Sequence, residues 1–500
     1  MSNLKKLASD TAIYGVSSIG GRLLNYLLVP FYTEVFETEE YGIVTLLYAF
    51  VAFLNVLYLY GLETAYFRFA NRYREDEPRI FRTAFTSVFC SSLLLSGTLC
   101  LFAGPITDAL DVPGKEHYVY WFAAILSIDA IMAIPFARLR LQGRAVKFAA
   151  AKLGNIVLNI GLNVFFLVFC YDILEGEYLQ SLQPYVASFF RPEWGVDYVF
   201  LSNLIANALW IFILFPELMQ ARFQLDKDYW QQMLVYAYPL LFMGLAGATN
   251  EMMSRSLLKY ILPENFYPDL SNAAVLGIFG ACYKLSIFMN LAIQAFRFAS
   301  EPFFFSRASD RSSPKLFAQV MQYFVIACCL ILFGVSVNLH WLGPLVLGDA
   351  EYLRGLEIVP VLLLGYLFFG IYMNLAIWFK LADKNSYGSW FTISGAVLTI
   401  ILNYTLIPWL GMMGAALATL AVYFYMAVIC YYYGQRHYPI PYRLGHSMGY
   451  ILATSALVFG FLVLEIERFW LKTALSMGLT LLYLIFVFFY EKRHFPVKTT

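Results

Sequence analysis

Apolar runs long enough to cross a bilayer recur from one end of this chain to the other, with only short polar breaks between them. An α-helix rises about 1.5 Å per residue, so about 20 apolar residues cross about 30 Å of hydrocarbon. By that length the spans fall at 11–33, 41–69, 80–107, 117–137, 148–170, 197–216, 230–262, 273–304, 315–340, 353–379, 387–408, 411–433, 445–464 and 470–490. Backbone N–H and C=O groups cannot be left unpaired in lipid, so each run is expected to be a helix. The expectation is an all-α, polytopic membrane protein with about 14 spans.

What the chain lacks narrows its function. Only 13% of its 500 residues are charged, against about 25% in soluble domains. The longest break, Tyr171 to Asp197, is too short for a soluble catalytic domain. There is no Gly-rich phosphate loop ending in Lys-Ser/Thr, no His-Glu-x-x-His and no Gly-x-Gly-x-x-Gly. We therefore expect neither an enzyme nor a cofactor. The seven cysteines lie almost entirely in apolar runs without paired spacing, and the five histidines are not grouped like ligands, so no disulfide framework or metal site is expected. A net charge of +1 gives no reason to expect nucleic acid. The opening Met-Ser-Asn-Leu-Lys-Lys resembles a signal-peptide start, but the apolar segment after it is long and contains Arg22, so it reads as a retained first helix.

Cation placement sets the orientation. With the N-terminus in the cytoplasm, 24 of the 34 Lys and Arg residues fall on inside segments or the span edges beside them, 6 on outside segments or their edges and 4 deep within spans. Cytoplasmic loops carry the excess of Lys and Arg, so both termini are expected inside. Eight of the nine tryptophans (121, 194, 230, 341, 378, 390, 409 and 470) lie at or near predicted span ends and read as interfacial belts.

The chain also carries an internal echo. Gly42-Ile43, Tyr48, Phe53 and Asn55 recur as Gly277-Ile278, Tyr283, Phe288 and Asn290, and Arg22-x7-Pro30 recurs as Arg255-x7-Pro263. A six-span unit repeats in the same orientation because six is even. Parallel repeats of this kind frame the substrate site of several secondary transporters. The expected lobes are 1–222 and 223–438, with two further helices and a cytoplasmic tail in 439–500.

Charges inside spans mark the candidate site, since burying one costs at least about 2.5 kcal/mol. Arg22 lies near the middle of span 1, Arg255 holds the corresponding place in span 7, and Lys284 lies near the middle of span 8. They could form a cationic cavity for an anionic headgroup, because Arg grips phosphate through its planar fork. The plainer reading is that Glu251–Arg255 and Arg297–Glu301, both at i, i+4 spacing, are self-neutralising pairs. Glu251, Asp129 and Glu63 are the candidates for proton coupling, with a pairing to Arg68 as the plainer reading of Glu63. The acid-free stretch Arg138 to Lys147 could face anionic lipid or a partner, or simply set topology. Gly244-x-x-Gly247 and Gly411-x-x-Gly414 read as close helix packing.

Gly21-Arg22 through Pro30-Phe-Tyr-Thr33, then Tyr41-Gly42, resembles the opening of bacterial oligosaccharide flippases, the O-antigen and capsule translocases of the multidrug/oligosaccharidyl-lipid/polysaccharide exporter superfamily. Leu276 to Ser286 and Gln294 to Pro302 carry the same likeness. The resemblance implies two six-helix lobes plus two helices in the bacterial inner membrane. It implies that an undecaprenyl-diphosphate oligosaccharide is flipped to the outer leaflet for cell-surface polysaccharide such as lipopolysaccharide. Arg22, Arg255 and Lys284 map by position onto its cationic cavity. Membrane lipids, a proton or sodium coupling ion and a polysaccharide polymerase are the partners to expect. Three alternatives stay open: a lipid II flippase, a multidrug/cation antiporter and a membrane glycosyltransferase or polymerase.

Overall fold

A computed structural model describes residues 20–21, 24, 26, 28–307, 313–382, 384, 386–464 and 466–494, with side chains at all but 298–299, 301–303, 305–307 and 494. Among the described residues every regular element is a helix. Ten helices are long and apolar enough to cross a membrane. The bent pair Asn272–Leu285 and Ile287–Arg297 forms one more span, turning 44° at Ser286. The 52-residue Ser386–His437 helix breaks at Gly411 into two, and Asp197–Ile213 is a shorter apolar helix. Together these account for every expected span from the second to the fourteenth. The first, 11–33, lies largely outside the described residues.

The chain divides into two compact units, Met1–Met252 and Met253–Thr500, and the division falls within the Lys227–Ile261 helix. In the first unit, Thr38–Leu59, Leu62–Arg72, Glu77–Leu101 and Glu116–Leu141 enclose a core of Tyr58, Leu62, Tyr66, Phe81, Leu126 and Ile134. The second span is interrupted at Tyr60 and Gly61, both with positive φ (34° and 77°). In the second unit, Val359–Leu375 packs along Ser386–His437, and Tyr352, Tyr366, Trp378 and Phe391 are fully buried. Leu444–Leu462 and Phe469–His494 pack on Ser313–Ser336 in the same unit.

Two local readings need correction, and a third gains a second role. Gly411 and Gly414 do pack closely, an added Cβ lying 2.5 Å from the Tyr267 hydroxyl at the first and closer still to the Leu406 carbonyl oxygen at the second, but Gly411 also breaks the helix, since φ 56°, ψ −130° is open to glycine alone. Gly244 does sit close to a neighbour, with an added Cβ 2.8 Å from Val56, but Gly247 has open space. Trp378 is buried and donates its indole N–H to the Cys430 carbonyl at 3.2 Å, so it packs the interior. Trp409 and Trp470, 82% and 81% exposed, have the surface placement that an interfacial belt needs.

Candidate functional site

Span 7 brings Arg255 into the second unit as a buried residue. Its guanidinium lies 3.7 Å from the centre of the Tyr283 ring, close enough for a desolvated cation–π contact. Tyr283 is held in turn by a hydroxyl–hydroxyl hydrogen bond to Tyr366 on the Val359–Leu375 helix. The neighbouring turn of span 7 is fixed by Ser254, whose Oγ accepts from Asn403 Nδ2 at 3.0 Å. Lys284 is half-buried, next in sequence to Tyr283 and two residues before the 44° bend. Through the Tyr283 ring Arg255 therefore meets the helix that carries Lys284. Sequence spacing alone did not identify that ring as the link.

The other candidates divide. Glu251 is exposed and belongs to the first unit. Arg297 is exposed and borders a small recess with Ser300, Asn374 and Lys380. Arg22 and the side chain of Glu301 lie outside the described residues.

Asp129 sits in a polar network that the sequence reading only partly found. Its Oδ1 accepts from Asn207 Nδ2 at 2.8 Å, and Asn207 Oδ1 accepts from Asn155 Nδ2 at 2.8 Å. Three helices thus converge on it: Glu116–Leu141, Ala145–Val164 and Asp197–Ile213. One turn from Asn155, the Lys152 ammonium lies 4.1 Å from the centre of the Trp210 ring and 4.4 Å from that of Phe136. Lys152, Asn155, Asn159 and Asn163 form a polar stripe at helical spacing, a signal that was present in the sequence.

The basic stretch after span 4 is neutralised by acids from elsewhere in the unit. Arg138 grips both oxygens of Glu77, at 3.0 and 3.2 Å. Arg140 pairs with Glu63, which is therefore not the partner of Arg68; the Arg68 guanidinium lies over Tyr236 instead. The buried Glu217 carboxylate takes Arg144 at 2.8 Å and Lys147 at 2.7 Å.

Residues 7–306 match a family model described as polysaccharide biosynthesis protein. The chain belongs to that family. No curated protein sequence matches it. Among solved structures, this polysaccharide biosynthesis protein is similar to an inward-closed structure of the lipid II flippase MurJ, with a TM-score of 0.70 and 13% identity, covering 96% of this chain and 99% of that one. An inward-facing multidrug resistance MATE family transporter of the MOP superfamily gives a TM-score of 0.65 at 12% identity, covering 83% and 94%. A MOP superfamily transporter from Pyrococcus furiosus gives 0.53 at 14%, covering 85% and 95%. The polysaccharide biosynthesis family member thus has the fold of MOP-type transporters.

Proposed function

We propose that the protein flips an undecaprenyl-diphosphate-linked oligosaccharide from the cytoplasmic to the outer leaflet of the bacterial inner membrane, with both termini cytoplasmic. A diphosphate sugar head cannot cross about 30 Å of hydrocarbon unaided. The protein would carry it by alternating access between a lobe over 1–222 and a lobe over 223–438, with 439–500 appended. Arg22, Arg255 and Lys284 would hold the diphosphate while the polyprenyl tail stays in lipid. No bond is made or broken.

The observation that carries this reading is a buried arginine with a half-buried lysine beside its ring partner, within the span of a polysaccharide biosynthesis family member. An intramembrane cation of this kind belongs with an anionic headgroup and argues against a cationic drug. For coupling, Asp129 is the carboxylate we favour, because Asn207 binds it from a second helix and is bound in turn by Asn155 from a third. A lipid II substrate is the second reading, supported by the near full-length likeness to MurJ.

The test is flipping in proteoliposomes of the undecaprenyl-diphosphate oligosaccharide against lipid II, with wild type, Arg22→Ala and Arg255→Ala. The proposal expects wild-type flipping of the oligosaccharide and loss in both variants at normal insertion. Transport of lipid II alone would move the assignment to the second reading.

A further inference from the structure

The first unit holds a cavity of about 550 Å³ beside the Tyr171–Asp197 segment, within the size range of small-ligand sites. On the proposed topology it faces the outer side. Its walls come from the Leu28–Val35 helix, the start of Thr38–Leu59, the end of span 5 and the chain just before Asp197–Ile213. Span 5 changes there from α to a π-helical turn at Phe165–Cys170, a rare geometry that recurs at functional sites. Leu167 and Val168 of that turn line the cavity.

Two chemistries meet on its surface. Phe31, Tyr171 and Tyr198 contribute aromatic rings, while Glu34, Glu40 and Asp172 contribute carboxylates. The Tyr198 wall is rigid: its ring stacks between Phe166 and Phe190 at centroid distances of 4.7 and 4.9 Å, both at 18°. Its hydroxyl accepts the Arg191 backbone N–H at 2.8 Å. Asp172 is oriented by the Tyr178 hydroxyl, which donates to Oδ2 at 3.0 Å. Tyr171, by contrast, is 43% exposed and has ring surface to offer.

This combination selects a ligand class. A phosphate or uronate would face three carboxylates and be repelled. An acyl chain would leave those carboxylates facing hydrocarbon. Among the described residues no acidic or His/Cys group is arranged to hold a metal ion. A sugar ring meets both demands, with C–H faces for the aromatic rings and hydroxyls to donate to carboxylate oxygens.

We propose that this cavity binds the neutral or amino-bearing sugars of the oligosaccharide head on the outer side, apart from the diphosphate-binding cations. The inference rests on the flippase reading for its choice of ligand. The probe is the phosphate-free repeat-unit oligosaccharide cleaved by mild acid from the producing cell's own surface polysaccharide. Saturation-transfer NMR would follow its binding to the full chain in nanodiscs, with digalacturonate as the charged control. We expect binding by wild type and Arg255→Ala, at least tenfold weaker binding by Tyr171→Ala and by Glu34→Gln/Asp172→Asn, retention in Tyr171→Phe, and none of digalacturonate. Wild type that gives no signal, or cavity variants that bind as wild type does, would overturn the inference. Running the flipping assay on the same preparations separates the two failures. Flipping without sugar binding sinks only the cavity, and sugar binding without flipping sinks only the transport reading.

Discussion

Arg255 lies over an aromatic ring inside a membrane helix, an arrangement that offsets the cost of burying a permanent charge; on the proposed function the same guanidinium would grip an oxyanion. Lysine cannot reproduce the planar stack or the two-pronged grip. Arg255→Lys is therefore expected to slow flipping by roughly tenfold, the equivalent of about 1.4 kcal/mol, with Arg255→Ala losing more; initial rates in proteoliposomes would check it. Asp129→Asn keeps a hydrogen-bonding group opposite Asn207 but cannot exchange a proton. It is expected to abolish any acceleration by an imposed proton gradient while gradient-free exchange persists, and an unchanged response to the gradient would remove Asp129 from coupling. Arg255, Lys284 and Asp129 were legible in the sequence because ionisable groups are conspicuous in apolar runs. Lys152 is easily passed over, since it sits at the edge of a basic loop and counts there as a topology charge, although the polar stripe that it begins is there to be read. The pairing of Glu63 with Arg140 was equally hidden, because 77 residues separate them and only the packing of helices brings them together.

At the scale of helices, apolar length located every described span, and no propensity argument was needed. Interruptions within spans were less visible. The 44° bend at Ser286 and the left-handed residues at Tyr60 and Gly61 sit inside stretches that still read as single apolar spans. Gly411 reads from the sequence as half of a packing motif, which it is, and only its φ shows that it breaks the helix as well. Gly411→Ala forces an L-residue into that conformation and against Tyr267. We expect a loss of about 1–3 kcal/mol, seen as a lower midpoint of thermal unfolding in detergent, whereas Gly247→Ala, with open space around it, should unfold as wild type does. Trp378 shows the same limit of sequence position: it lies near a predicted span end yet faces inward, because a neighbouring helix offers it the Cys430 carbonyl.

For the molecule as a whole, the excess of Lys and Arg on alternate segments expects both ends in the cytoplasm. A C-terminal fluorescent protein should then be bright, and a C-terminal alkaline phosphatase inactive; the reverse pattern would invert the topology and the direction assigned to transport. The loop after span 4 carries much of that signal in Arg138, Arg140, Arg144 and Lys147, and in the folded unit these cations are bonded to Glu77, Glu63 and Glu217. Glu217→Gln would leave two cations without their carboxylate and should lower the unfolding midpoint without changing reporter orientation. Those four side chains thus have successive duties in the life of one molecule. On the expected topology they would serve during biogenesis as ballast, read by the insertion machinery before any partner exists. Once the helices have gathered they become rivets, and a lysine put in place of Arg138 would still serve as ballast while making a poorer rivet.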